Sequence, residues 1–151
     1  MLRHTLATLA YRAGKALRGA PADFSGFAAP PGRKTAGQIL AHMGDLMEWG
    51  CSIAEGKQTW NDSAPQAWDA DVARFFAALG RFDAAVASRR LDESLSAKLF
   101  QGPVADALTH VGQLAMMRRL AGVPIKGENY FTADIVDGRV GLDQAAPKRE
   151  F

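Results

Sequence analysis

The sequence predicts an all-α protein: a four-helix bundle followed by an irregular or short-hairpin C-terminal tail. Three observations predict it. Apolar residues recur at helical spacing in four separate stretches. The breaks between them carry glycine, proline and capping signals. The 151 residues, 48% of them hydrophobic, suffice for one buried core without covalent staples. The expected organisation is a single domain over 1–151, with the bundle in about 1–122 and the tail in 123–151.

The first helix is expected from Leu2 to Leu17, where Leu2, Leu6, Leu9, Ala13 and Leu17 form one stripe, and it stops at Gly19 and Pro21. A loop rich in Pro, Gly and Ala follows, Ala20 to Lys34, which Phe24 and Phe27 are expected to pin onto the bundle. The second helix opens on Thr35-Ala-Gly-Gln38, a capping box in which the two side chains satisfy each other's free backbone donors. Ile39, His42, Met43, Leu46, Trp49 and Ile53 then share a stripe, and Gly56 follows as a stop. After a polar loop, Trp68, Val72, Phe75, Phe76, Leu79, Phe82 and Val86 mark the third helix, an aromatic stripe that reads as core. Residues 91–102 read as a connection, and Gly102-Pro103 opens the fourth helix, proline suiting a first turn. Val104, Leu108, Val111 and Ala115 form its expected apolar stripe, with Asp106, His110, Gln113 and Met117 alongside; it ends near Leu120. In the tail, Asp137-Gly138 suits a tight turn, so that segment is expected as a small hairpin or as an extended strap across the bundle.

Composition excludes several classes. A net charge of +2 without a basic, aromatic-interleaved stripe argues against nucleic acid. A single cysteine rules out an internal disulfide framework and makes a reducing cytoplasm the expected compartment. No apolar run approaches the ~20 residues that span a bilayer. Residues 1–22 carry Arg3, Arg12, Lys15 and Arg18 and no acid, a pattern that transit peptides share with first bundle helices. The stripe in this segment favours the helix, and Arg12 and Lys15 interrupt any secretory apolar region.

The chain has three histidines, and two of them carry the chemistry. Asp106 and His110 are an i,i+4 pair, which a helix holds ~5–6 Å apart at Cβ on one face. His42 lies three residues after Ile39 and four before Leu46, so it points with them into the bundle. Together they would make a two-histidine, one-carboxylate site whose free coordination positions suit catalysis. Such a set takes Zn²⁺, Ni²⁺, Mn²⁺ or Fe²⁺ without distinguishing among them. The competing reading makes His42 and His110 satisfied core histidines and Asp106 a solvated carboxylate of the fourth helix's first turn. Gln113 and Asp45 are candidates to orient an imidazole. Cys51, nine residues from His42, falls on the opposite side of the helix, and His4 lies off its helix's apolar stripe. Phosphate-loop, nucleophile-elbow and His-Glu-x-x-His motifs are missing, so no catalytic residue is assigned beyond the metal ligands.

These segments resemble the DinB-like family of metal-dependent four-helix-bundle proteins. The resemblance rests on Ile39-Leu-Ala-His42-Met, on His110-Val-Gly-Gln113-Leu (similar to the family's His-Arg-Gly-Gln-Leu), on the four-helix plan with a long second loop, and on Leu-Ala-Gly122 closing the last helix. It covers about residues 1–122. The family usually places two histidines four apart in helix four; here the earlier one is Asp106. The resemblance implies an up-down-down-up bundle, a divalent metal with open positions and frequent dimerisation. It also implies chemistry on a small molecule: thiol S-transfer using a low-molecular-weight thiol first, hydrolysis second. The alternative is a non-catalytic binding or dimerisation module with a decayed site. Trp49, Trp60 and Trp68 exceed what four helices need to cover, which adds to the expectation of a homodimer.

Overall fold

The computed structural model describes residues 1–30 and 33–151, so the expected loop over Ala20–Lys34 is described on either side of residues 31 and 32. Helices dominate, and among the described residues no strand forms beyond an isolated bridge between Glu128 and Glu150. Helix α1 spans Leu2–Leu17, α2 Ala36–Ala54 and α3 Trp68–Ser88. The fourth helical rod is α4, Glu93–Leu99, continued through a π-helical turn, Phe100–Val104, into α5, Ala105–Leu120.

The local chemistry explains these bounds. The capping box at α2 forms as expected: the Gln38 amide donates to the Thr35 hydroxyl at 3.2 Å, and the Thr35 amide donates to Gln38 Oε1 at 2.9 Å. Past its end, Gly56 takes a left-handed φ of 80° that a side chain would strain. Gly50 serves a different purpose. A Cβ there would sit 2.5 Å from the Phe82 ring, so its absence lets α2 and α3 approach closely. These two helices form the most extensive contact; α1 packs against α3 and α5, and α2 against α5. Leu6, Leu9, Leu40, Met43, Met47, Phe75, Leu79, Phe82, Leu99 and Leu114 are fully buried between them. Phe24 is buried too, stacked on Phe27 and edge-on to Trp68, which fixes the α1–α2 connection onto the core as expected.

The fourth rod departs from expectation in two ways. It starts at Glu93 rather than at Gly102, because the Asp92 carboxylate caps it, accepting from the Leu95 amide at 2.7 Å. Proline 103 is therefore internal. It has no N–H to donate and its ring crowds the preceding turn, and the widened π turn accommodates both. The buried face also differs. Val104, Ala107, Val111, Leu114 and Met117 face the core, whereas Leu108 and Ala115 are only half-buried. Apolar residues lie nearly all round α5, so periodicity could not choose its inner face.

The tail is the irregular strap rather than the hairpin. Asp137-Gly138 does turn, with the Arg139 amide donating to the Val136 carbonyl, but no strand ladder flanks it. Instead the tail is held along α1. The fully buried Glu128 carboxylate accepts from the Tyr11 hydroxyl at 2.6 Å and from Lys15 Nζ at 2.7 Å, and Lys15 also reaches Glu150 at 2.8 Å. Burial and then the Glu128 carboxylate push the Tyr11 phenol far above its ordinary range. Among the described residues no helix is long and apolar enough to cross a membrane.

Candidate metal centre

Because α2 and α5 are packing neighbours, His42 and the Asp106/His110 pair are brought face to face. His42 Nε2 lies 3.5 Å from one Asp106 carboxylate oxygen, and His110 Nε2 lies 3.3 Å from the other. The imidazole centroids are 5.0 Å apart with the rings nearly perpendicular, at 87°. One donor atom from each of the three residues falls within 4.8 Å of the other two, so the cluster could hold a metal ion. Ligands at ~2.0–2.1 Å around a tetrahedral ion stand about 3.3 Å from one another, close to the two separations involving Asp106. Among the described residues it is the one such cluster of histidine, cysteine and acidic side chains.

Gln113 orients the site. Its Oε1 lies 2.8 Å from His110 Nδ1. An amide oxygen only accepts, so the neutral imidazole carries its proton on Nδ1 and turns the Nε2 lone pair to Asp106. With Nε2 unprotonated, two acceptors face each other at 3.3 Å, and either a bound cation or a proton on Nε2 satisfies them. The donor set therefore fits a divalent metal: neutral nitrogens and one carboxylate, with an outer partner fixing the tautomer.

The surroundings correct two expectations. The Asp106 side chain is 47% exposed, a solvent-reaching carboxylate, while His42 and His110 are 22% and 14% exposed. Asp106 is not at a helix start, because helical backbone runs back to Glu93; the helix-terminus account of Asp106 loses its basis. Asp45 does not orient an imidazole. It is buried and accepts from the Ser63 amide at 2.9 Å, the Ser63 hydroxyl at 2.6 Å and Arg74 at 2.8 Å. Burial opposes ionisation of Asp45, but these hydrogen bonds and the Arg74 charge outweigh it and hold its carboxyl below the usual range. The exclusions of Cys51 and His4 agree with their placement. Cys51 is buried beside Glu55, burial and that carboxylate both pushing its thiol up, and His4 pairs with Asp137.

Sequence reasoning missed Trp60. Its ring stands edge-to-face with His42 at 5.7 Å and with Trp49 at 5.8 Å, walling one side of the cluster. It sits in a loop with no periodicity, so only the fold could place it. Asp45, Ser63 and Arg74 anchor that same loop three residues further on. Arg118 was also missed. It is buried, and its guanidinium donates to the carbonyls of Ala16, Arg18, Gly19 and Val123, closing the C-terminal end of α1 onto the end of α5.

Fold and site thus define a helical bundle with a solvent-reaching two-histidine, one-carboxylate cluster on two adjacent helices. Compared with protein-family models, with curated proteins and with solved structures, the chain finds no match.

Proposed function

We propose that this chain is a DinB-like protein that binds one divalent metal through His42, Asp106 and His110 and uses it to act on a small molecule. The observation that carries the proposal is one ligand atom each from His42, Asp106 and His110 lying within 4.8 Å of one another, with Gln113 on the far nitrogen of the His110 ring. When bound, a divalent ion with open positions lowers the pKa of a coordinated thiol or water near neutral pH. The residues supply the rest. Gln113 holds the His110 ring, α2 and α5 set the ligand spacing, and Trp60 keeps water off one face of His42. Thiol S-transfer is the first reading of the chemistry and hydrolysis the second. Gly44 meets Arg74 and Gly50 meets Phe82, Arg118 meets Ala16 and Arg18, and Arg3 meets Asp83, a set of directions that supports an up-down-down-up arrangement, and the single, buried cysteine supports a cytoplasmic location.

A second reading has its own support. The same 3.3 and 3.5 Å separations suit a carboxylate between protonated imidazoles, as a metal-free binding module would hold them. Elemental analysis of the purified protein separates the two: close to one metal per chain is expected, and trace metal would leave the module. The dimer rests on less than the tryptophans suggested. Trp68 is core and Trp49 is half-buried against Trp60; Trp60 stays exposed, and so do Phe100, Met116, Leu120, Phe131 and Phe151. Light scattering at micromolar concentration is expected to show twice the chain mass; a monomer would refute the dimer.

A further inference from the structure

Two grooves are lined by residues of α2 and of the fourth helical rod, the two elements that carry the cluster. One, about 550 Å³, is lined by Trp49, Ile53, Leu95, Lys98 and Pro103. Trp49 and Trp60 stand between it and His42. The other, about 580 Å³, is lined by Arg33, Lys34, Ile39, Gln113, Met116 and Met117. No tryptophan lines this second groove. Three of its wall residues are sequence neighbours of the ligands: Ile39 is one turn before His42, Thr109 adjoins His110, and Gln113 is the residue bonded to the His110 ring. Its volume falls within the ~300–1,000 Å³ usual for small-molecule sites.

The lining also has a polarity. Its only charged members are Arg33 and Lys34, both cationic, on the segment leading into α2. Among the described residues neither forms an ion pair. Apart from Thr109 and Gln113 the remaining wall is apolar and adaptable, with the two methionines able to repack around different chains. An anion set on a guanidinium gains paired, charge-assisted hydrogen bonds, which a neutral or cationic head group cannot make.

Building on the metal-centre reading, we propose that this groove is the substrate channel and takes a small amphipathic anion. Its acidic head sits on Arg33 and Lys34, and its apolar body runs along Ile39, Met116 and Met117 to present a reacting end at the His42, Asp106, His110 cluster.

The test uses full-length protein loaded with cobalt, whose visible spectrum reports ligation. The probes are ω-mercaptooctanoate and ω-mercaptooctanol, whose thiols give up a proton to buffer on binding the metal. The acid is expected to shift the spectrum at about tenfold lower concentration than the alcohol, the equivalent of one good ionic contact. In Arg33→Ala/Lys34→Ala the acid should lose that advantage while the alcohol titrates unchanged. Both positions are exposed and outside the core, so the fold should survive the change. A cobalt spectrum that responds alike to acid and alcohol in both proteins would overturn the channel and spare the metal centre. No cobalt spectrum in either protein would overturn the metal centre, and the channel with it.

Discussion

Replacing Asp106 by alanine tests the metal centre most directly, because the structure predicts different losses with and without metal. Asp106 is 47% exposed, so its removal from metal-free protein forfeits only solvent-screened attraction to two imidazoles. Exposed pairs of this kind are worth ~0–1 kcal/mol, and the helix-terminus contribution is absent because the helix begins at Glu93, roughly three and a half turns earlier. With metal the loss is larger. An ion at a hundred times its Kd stabilises the fold by about 2.7 kcal/mol. In a chain of this length 1 kcal/mol moves Tm by ~2–4 °C, so losing that ion lowers Tm by about 8 °C. The assay is a set of four thermal melts, wild type and Asp106→Ala, each with excess zinc and with a chelator. Zinc should raise the wild-type Tm by about 8 °C and the variant's by far less, while the chelated proteins should melt within about 3 °C of each other. Equal losses in zinc and in chelator would refute the ligand role of Asp106 and leave at most a two-histidine site.

Gln113→Leu should weaken zinc binding by ~10–100-fold without removing a ligand, because the His110 tautomer is no longer enforced; competition against a chromophoric chelator reads this, and unchanged affinity would dismiss the orienting role. Asp45→Asn should cost ~1.5–3 kcal/mol in urea denaturation at neutral pH, since the half-buried Arg74 loses its shortest ionic hydrogen bond and keeps only the longer pairs to Glu48 and Asp71. Because folding lowers the Asp45 pKa, its contribution is fully present above the usual aspartate range and lost as pH falls from there through the lowered folded value. The gap between wild type and Asp45→Asn should therefore narrow toward pH ~3, and a pH-independent gap would contradict the assignment. Arg118→Lys should destabilise by ~1–3 kcal/mol per carbonyl left unsatisfied, as an ammonium cannot span the acceptors at Ala16, Arg18, Gly19 and Val123; a denaturation midpoint equal to wild type would refute the clamp.

What the sequence by itself determined is mostly local. The α1 stripe from Leu2 to Leu17, the Thr35/Gln38 box and the aromatic stripe of α3 were legible because each signal lies within a few residues of its partner. The candidate ligands were legible for the same reason: spacing puts Asp106 over His110, and His42 shares a face with Ile39 and Leu46. The start of the fourth rod was also written locally, in Asp92 as a cap and in Leu95 and Leu99 behind it, but Pro103 is the stronger-looking helix opener and masked it. Only the tertiary structure decided the rest. Asp45 looked like an imidazole's partner until Arg74, on another helix, proved nearer. The tail's choice of strap over hairpin depends on Glu128 meeting Tyr11 and Lys15, more than a hundred residues away in sequence. The inner face of α5, apolar nearly all round, and the placing of Trp60 over His42 depend likewise on what packs alongside. Periodicity reports which residues share a face; which face meets which neighbour is settled by packing across the bundle, where contacts are long-range and the chain carries no local record of them.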